Sequence, residues 1–407
     1  MTRAHPAATP LQTLLSPARY LLLALGLSVT ASGALAQASL DRLLQTEAQK
    51  NNFPAMAAAV VVKGKLLAVG TAGTRRVGTN IPVQRNDRFH LGSDTKAMTA
   101  TLAAMLVDEG KLQWDSTLAS VFPELAPRMD AGLQRVTLTQ LLSHSSGLAA
   151  DNEAFGELLL KSSLQNGNLD EQRYWMVQQT APKPLEATPG TRFAYSNLGF
   201  MIAGSMIERV TGKTWEELMV ERLFTPLGLK NAGLGPQASM GRVDAPLGHR
   251  MVDGKLQAIL SGPEGDNPAQ MGPAGTAHMS VIDFARWGSW VAGQGKRAPA
   301  LVKPANMQKL VTPVISMPIQ STTSTTVSGA AGYALGWASV KMSWADQPLV
   351  FHGGSNTMNK AYIWVDTVRD ATVVVLTNVA TPNTEDAMMA LAGRLYGAYV
   401  TRTAPRP

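Results

Sequence analysis

The chain contains no cysteine, which excludes disulfides, thiolate metal sites and a lipidated cysteine. Histidine is scarce as well: there are six, without His-x-x-x-His spacing, so a metal site is not expected. Charged residues make up only 16% of the chain, and no basic run interleaves with aromatics. That pattern excludes a nucleic-acid footprint, and the net charge of +7 reads as general surface charge. Gly-x-Ser-x-Gly is absent, which argues against a serine nucleophile on a strand–turn–helix elbow. Beyond residue 36 no apolar run reaches 18 residues, so no second membrane span is expected.

What is present begins with an export signal. Arg3 and Arg19 supply positive charge, Tyr20 to Ala36 supplies an apolar core, and Ala34-Leu35-Ala36 offers small residues at a cleavage site. Residues 1–36 are therefore expected to direct the chain to a bacterial periplasm or beyond, leaving no stable membrane span after cleavage.

The remainder is long enough for a large core. Ala38 to Gln49 carries helical spacing, followed by two β-like runs, Ala55 to Lys63 and Lys65 to Gly73, with Gly64 as a tight hairpin position. A helical middle extends to about residue 290. After about residue 330 short β-branched and aromatic runs return, and Glu385 to Val400 closes as a helix. The expectation is an α/β (α+β) fold: one antiparallel sheet flanked by terminal helices, plus a mostly helical lobe. Residues 37–92 and about 291–401 would form the sheet lobe, about 93–290 the helical lobe, and 402–407 a tail. A site is expected in the cleft between lobes. Gln320 to Gly329 is a polar low-complexity loop.

Ser93 and Lys96 stand at the head of an apolar run, Ala97 to Val107 (AMTATLAAMLV). A helix of that composition is buried on nearly every face. A lysine opening it loses hydration, which depresses its pKa. A serine three residues earlier faces the same cleft. Nucleophile plus desolvated amine is what acyl transfer requires. Chance alone supplies about one Ser-x-x-Lys in such a chain, so other segments must decide.

Two do. In an extended loop Tyr195 and Asn197 point to one side, bringing a phenol and an amide to one pocket. The competing reading is a buried tyrosine and a helix-capping asparagine. His352-Gly353-Gly354-Ser355 ends the strand-like run PLVFH. Paired glycines there fit either close approach of a substrate backbone or a hairpin turn.

Together, in this order, Ser93-x-x-Lys96, Tyr195-x-Asn197 and His352-Gly353-Gly354 resemble the serine β-lactamase and D-alanyl-D-alanine carboxypeptidase superfamily, with the tyrosine pointing to its class C branch. Leu141 to Leu148, Pro189 to Phe200 and Ala274-Gly275-Thr276 with the segment that follows look like family framework. The resemblance implies a serine hydrolase, free of metal and any other cofactor, whose Ser93 forms an acyl-enzyme, with Lys96 and Tyr195 handling protons. It also implies an oxyanion hole from the Ser93 and Ser355 N–H groups, and Asn197, His352, Gly353 and Gly354 against the substrate. The partner would be an ester, a D-amino-acid peptide or a β-lactam. His352 departs from class C β-lactamases, which carry lysine there. A mostly neutral imidazole offers the β-lactam carboxylate no permanent cation. Some D-alanyl peptidases and esterases of this fold also carry histidine there, so the resemblance implies one of those two activities, without separating them, over a potent β-lactamase.

Overall fold

A computed structural model describes residues 40–401 apart from 263–264, 320–326 and 328–329. The export segment at 1–36, the tail at 402–407 and most of the polar loop at 320–329 lie outside the described residues.

Helix α1 (residues 40–51) leads into the first hairpin, β1 (Ala55–Val62) and β2 (Lys65–Gly73). The two-residue turn between them places Lys63 and Gly64 at φ +50° and +75°, the left-handed pair that suits a twisted hairpin. Strand β3 (Arg88–His90) and a 3₁₀ turn (Gly92–Asp94) then deliver the chain to α2 (Thr95–Asp108). The middle carries helices Glu153–Ser163 and Leu169–Thr180 and then α3 (Asn197–Thr211). It also holds short strands the sequence pattern does not announce: β4 (Gly233–Leu234), β5 (Gly248–Val252), β6 (Lys255–Ile259) and β7 (Ala277–Ser280). Helix α4 (Val281–Ala292) precedes β8 (Ile315–Met317), β9 (Ala331–Tyr333), β10 (Ala338–Val340), β11 (Leu349–Ser355), β12 (Lys360–Asp366) and β13 (Ala371–Thr377). Helix α5 (Thr384–Tyr396) follows.

The main sheet is antiparallel, in the order β2-β1-β13-β12-β11-β10-β9-β8. The amino-terminal hairpin therefore joins the late strands through β1 and β13. All eight residues of β1 are buried, because both faces of the sheet are covered. Met56, Ala58 and Val60 face the core built with Leu40 and Leu44 of α1 and Leu391 and Leu395 of α5. Ala57, Ala59 and Val61 face the core that contains α2 and α4. Both terminal helices thus pack on one face of the sheet, and the rest of the fold packs on the other.

Helix α2 runs through the centre of that second core. Every residue from Thr95 to Leu106 is buried, as expected for a helix that is apolar all round. Strand β7 pairs with β3, setting His278 opposite His90, and the Leu91 N–H donates to the Ala277 carbonyl at 2.9 Å. The turn carrying Ser93 is thereby clamped before α2 begins.

Candidate active site

The Ser93 turn packs directly against β11. Gly354 is the reason it can: a Cβ there would lie 1.8 Å from the Leu91 carbonyl oxygen and 2.6 Å from the Ser93 nitrogen. Gly92, at φ +52°, does the same from the other side, since a Cβ on it would fall 2.3 Å from the Ser355 nitrogen. The glycine pair is therefore neither a hairpin turn nor simply room for substrate. It lies within a strand and makes room for the protein itself, with Gly353 against the Tyr362 ring. The result brings the Ser93 and Ser355 nitrogens to adjacent backbone, the arrangement a two-donor oxyanion hole requires. Pairing of β10 with β11 stops at Phe351, which leaves His352 to Ser355 unpaired on that edge.

Lys96 is fully buried, and its ammonium nitrogen reaches three oxygens: Ser93 Oγ at 3.0 Å, Asn197 Oδ1 at 2.6 Å and the Ala274 carbonyl at 2.7 Å. Burial pulls its pKa down to about 7, against the opposing charges of Asp151 and Asp94. Tyr195 lies beside it, with Nζ 4.8 Å from the ring centroid, and its hydroxyl hydrogen-bonds Ser93. Burial raises the Tyr195 pKa above the ordinary phenol value, with Asp151 and Asp94 adding to the rise and the Ser93 bond opposing it. A lowered phenol pKa is thus not found here. Tyr195 is a protonated donor, and Lys96 is the group poised to exchange a proton near neutrality.

Ser196 caps α3 with its own side chain and leaves Asn197 in the first turn, its Oδ1 turned to Lys96. Behind Tyr195, His144 lies 4.1 Å away between ring centroids, its ring tilted by 32°, and accepts the Ser196 N–H at Nδ1, 3.1 Å away. Burial holds His144 well below its ordinary pKa, with the Lys96 charge adding to the effect. It is a neutral prop for the tyrosine loop.

His352 is buried, and burial, aided by the Lys96 charge, lowers its pKa to about 3. Its Nδ1 lies 3.0 Å from the Gly353 carbonyl, which fixes the proton there, so the Tyr333 hydroxyl donates to Nε2 at 2.9 Å. The ring lines the cavity beside Ser93 as a neutral, internally satisfied group. That cavity, about 440 Å³, is walled mainly by Phe193, Met317, Val340, Phe351, Tyr362 and Met389. Lys360 and Glu385, 3.5 Å apart, also line it.

Four contributors have no motif in the sequence. Asp151 accepts from the Asn197 backbone N–H at 2.9 Å and from its side-chain amide. Asp94 is buried between Ser93 and α2, 3.8 Å from His352 Nδ1. His90 accepts the Gly92 N–H at 3.0 Å and sets its Nε2 2.6 Å from Asp266 Oδ1, bracing the serine turn from behind. Only the composite geometry reveals them.

A serine, a buried amine and two adjacent backbone N–H groups beside an antiparallel sheet are the arrangement expected of a serine hydrolase. The chain belongs to the β-lactamase family, whose model (described as Beta-lactamase) matches residues 40–398. It is 29% identical over 381 residues to penicillin-binding protein 4 of Amycolatopsis lactamdurans, covering 89% of this chain and 92% of that one. It is 33% identical over 172 residues to lovastatin esterase of Penicillium rubens, covering 39% of this chain and 42% of that one. In fold it is similar to EstCE1, a hydrolase with promiscuous acyltransferase activity, with a TM-score of 0.71 at 17% identity over 88% of this chain and 98% of that one. The protein is a serine hydrolase of this family. Among the described residues, no helix is long and apolar enough to cross a membrane.

Proposed function

We propose that the protein is an exported esterase-type serine hydrolase that works through an acyl-enzyme on Ser93 and favours uncharged esters with an apolar group. The observation that carries this reading is the pairing of a buried amine at Ser93 with a cavity wall whose histidine is neutral and already satisfied. A β-lactam or a D-alanyl peptide presents a carboxylate, which His352 in this state does not attract. An ester needs no such cation, and the apolar cavity suits a hydrophobic acyl or alcohol group. The likeness to a lovastatin esterase over part of the chain agrees with it. Export rests on the signal pattern of residues 1–36.

Ser93 Oγ attacks the ester carbonyl carbon and gives its proton to the neutral amine of Lys96. The N–H groups of Ser93 and Ser355 hold the oxyanion. As the alkoxy C–O bond breaks, Tyr195 hands its proton to the departing oxygen and is reprotonated from Lys96. Water then attacks the acyl carbon, again losing a proton towards Lys96. The acid leaves, and Ser93 regains its hydrogen. His352, Gly353 and Gly354 offer the unpaired edge of β11 to the substrate, and Asn197 holds Lys96 in place.

The test is a substrate panel on the protein lacking residues 1–36: p-nitrophenyl esters of rising chain length, D-alanyl peptides and a chromogenic cephalosporin. Steady turnover of the esters at least tenfold above the others supports the proposal. Faster D-alanyl peptide cleavage reassigns it as a peptidase, and faster cephalosporin cleavage as a class C-like β-lactamase. A stoichiometric burst without turnover would make it a penicillin-binding or sensing protein instead.

A further inference from the structure

Among the described residues Asp151 makes no hydrogen bond to Ser93 or Tyr195, yet it grips Asn197 twice. Its Oδ1 accepts the Asn197 backbone N–H at 2.9 Å, and its Oδ2 accepts from the Asn197 side-chain amide. An amide whose nitrogen is committed to a carboxylate can present only its oxygen in the other direction. That oxygen is the one 2.6 Å from Lys96 Nζ. Asp151 sits on the loop before helix Glu153–Ser163, whereas Asn197 and Lys96 open two other helices. Three separate segments therefore meet in one chain of contacts ending at the amine.

We infer that Asp151 is a positioning residue for the acylation step, acting through Asn197 to aim the Lys96 amine at Ser93 and to place a negative charge behind it. This rests on the proposal that Lys96 is the base for Ser93.

The groups facing Lys96 show why Asp151 matters. From the serine turn come Ser93 and Asp94. The Asp94 carboxyl is buried, has no hydrogen-bond partner among the described residues, and is held well above the usual carboxylate range by that burial. From the 272–275 turn comes only the Ala274 carbonyl. His144, from the segment after helix Leu138–Leu142, and His352, from β11, are both held neutral by burial. Tyr195 stays a phenol. Asp151 is raised by partial burial, but both Asn197 bonds and the Lys96 charge counteract that rise. It is thus the acidic group whose negative charge is best supported around the amine, and that charge favours the protonated form of Lys96.

The sign of the effect follows. If Asp151 is made neutral, Lys96 loses its proton more readily, and the acid limb of the activity profile moves to lower pH. Aim is lost as well, so the plateau rate falls. The experiment measures the second-order rate constant for fluorophosphonate labelling between pH 5 and 9 in the wild type, Asp151→Asn and Asp151→Glu, with Ser93→Ala as blank. The rate constant belongs to the labelled, folded fraction, so partial misfolding changes amplitude but not the position of the limb. Asp151→Asn is expected to shift the limb down by about half a pH unit or more and to lower the plateau by about tenfold. Asp151→Glu, which keeps the charge, should retain a limb near that of the wild type. A limb in Asp151→Asn that coincides with the wild type overturns the inference while leaving Ser93 and Lys96 in their roles. Absence of any Ser93-dependent labelling in the wild type overturns the underlying proposal instead.

Discussion

The Lys96 amine lies 3.0 Å from the Ser93 hydroxyl, and among the described residues no carboxylate lies within ion-pair distance of it. A buried ammonium with three oxygen contacts but no direct counter-ion is a poor place to keep a proton. In the proposed mechanism that relationship is what would turn an otherwise inert hydroxyl into a nucleophile.

Its pH signature is direct. Because burial lowers the Lys96 pKa to about 7, kcat/KM for an uncharged ester should rise with pH through neutrality and level off above about pH 8. With the neutral amine as the proposed base, activity is lost on the acid side. His352, titrating at about 3, adds no limb between pH 5 and 9. A profile flat from pH 5 to 9 would contradict this assignment.

Removing the amine tests the same contact by chemistry. Lys96→Ala and Lys96→Arg should each lower kcat by at least about a thousandfold. Arginine fails because its guanidinium does not give up a proton in this range. Retention of more than a tenth of wild-type turnover in Lys96→Arg would show that the residue serves only as a charge.

Gly354 carries a structural prediction. A methyl there would overlap the Leu91 carbonyl and crowd the Ser93 nitrogen, so strand and turn must part. Gly354→Ala should cost about 1–3 kcal/mol of stability and lower kcat by about a hundredfold, because the serine turn and the Ser355 N–H separate. Urea unfolding and ester kinetics on the same preparation check both. Unchanged kinetics would mean that the fit of β11 to the turn is not needed for catalysis.

His352→Lys addresses substrate charge. A cation on that wall should raise the rate of acylation by a carboxylate-bearing β-lactam relative to a neutral ester by about tenfold or more. The ratio of the two acylation rates is the readout. If it does not move, His352 is not what disfavours anionic substrates.

Much of this was legible from the chain alone because local patterns carried it. The apolar run after Lys96 announced a buried helix, and Gly64 announced the first hairpin. Ser93, Lys96, Tyr195 and Asn197 meet as their motifs suggest. What escaped was non-local. Asp151 lies 46 residues before Asn197 in the sequence, and nothing in its neighbourhood marks it. The reason for Gly353 and Gly354 is a close fit to Tyr362 and to the Leu91–Ser93 backbone, which no strand pattern reveals. Strands β4 and β7 escaped for a related reason: they are held by distant partners, as β3 holds β7, and not by alternation of their own. Strands β5 and β6 instead pair with each other across the Asp253–Gly254 turn, a local hairpin in the stretch read as helical.

The central claim is that Ser93 becomes acylated. The direct measurement is mass spectrometry of the protein after brief reaction with a fluorophosphonate or a slow-turnover p-nitrophenyl ester, followed by peptide mapping. The account predicts a single adduct on the peptide carrying Ser93, absent in Ser93→Ala. An adduct on another residue, or an undiminished adduct in Ser93→Ala, would contradict it.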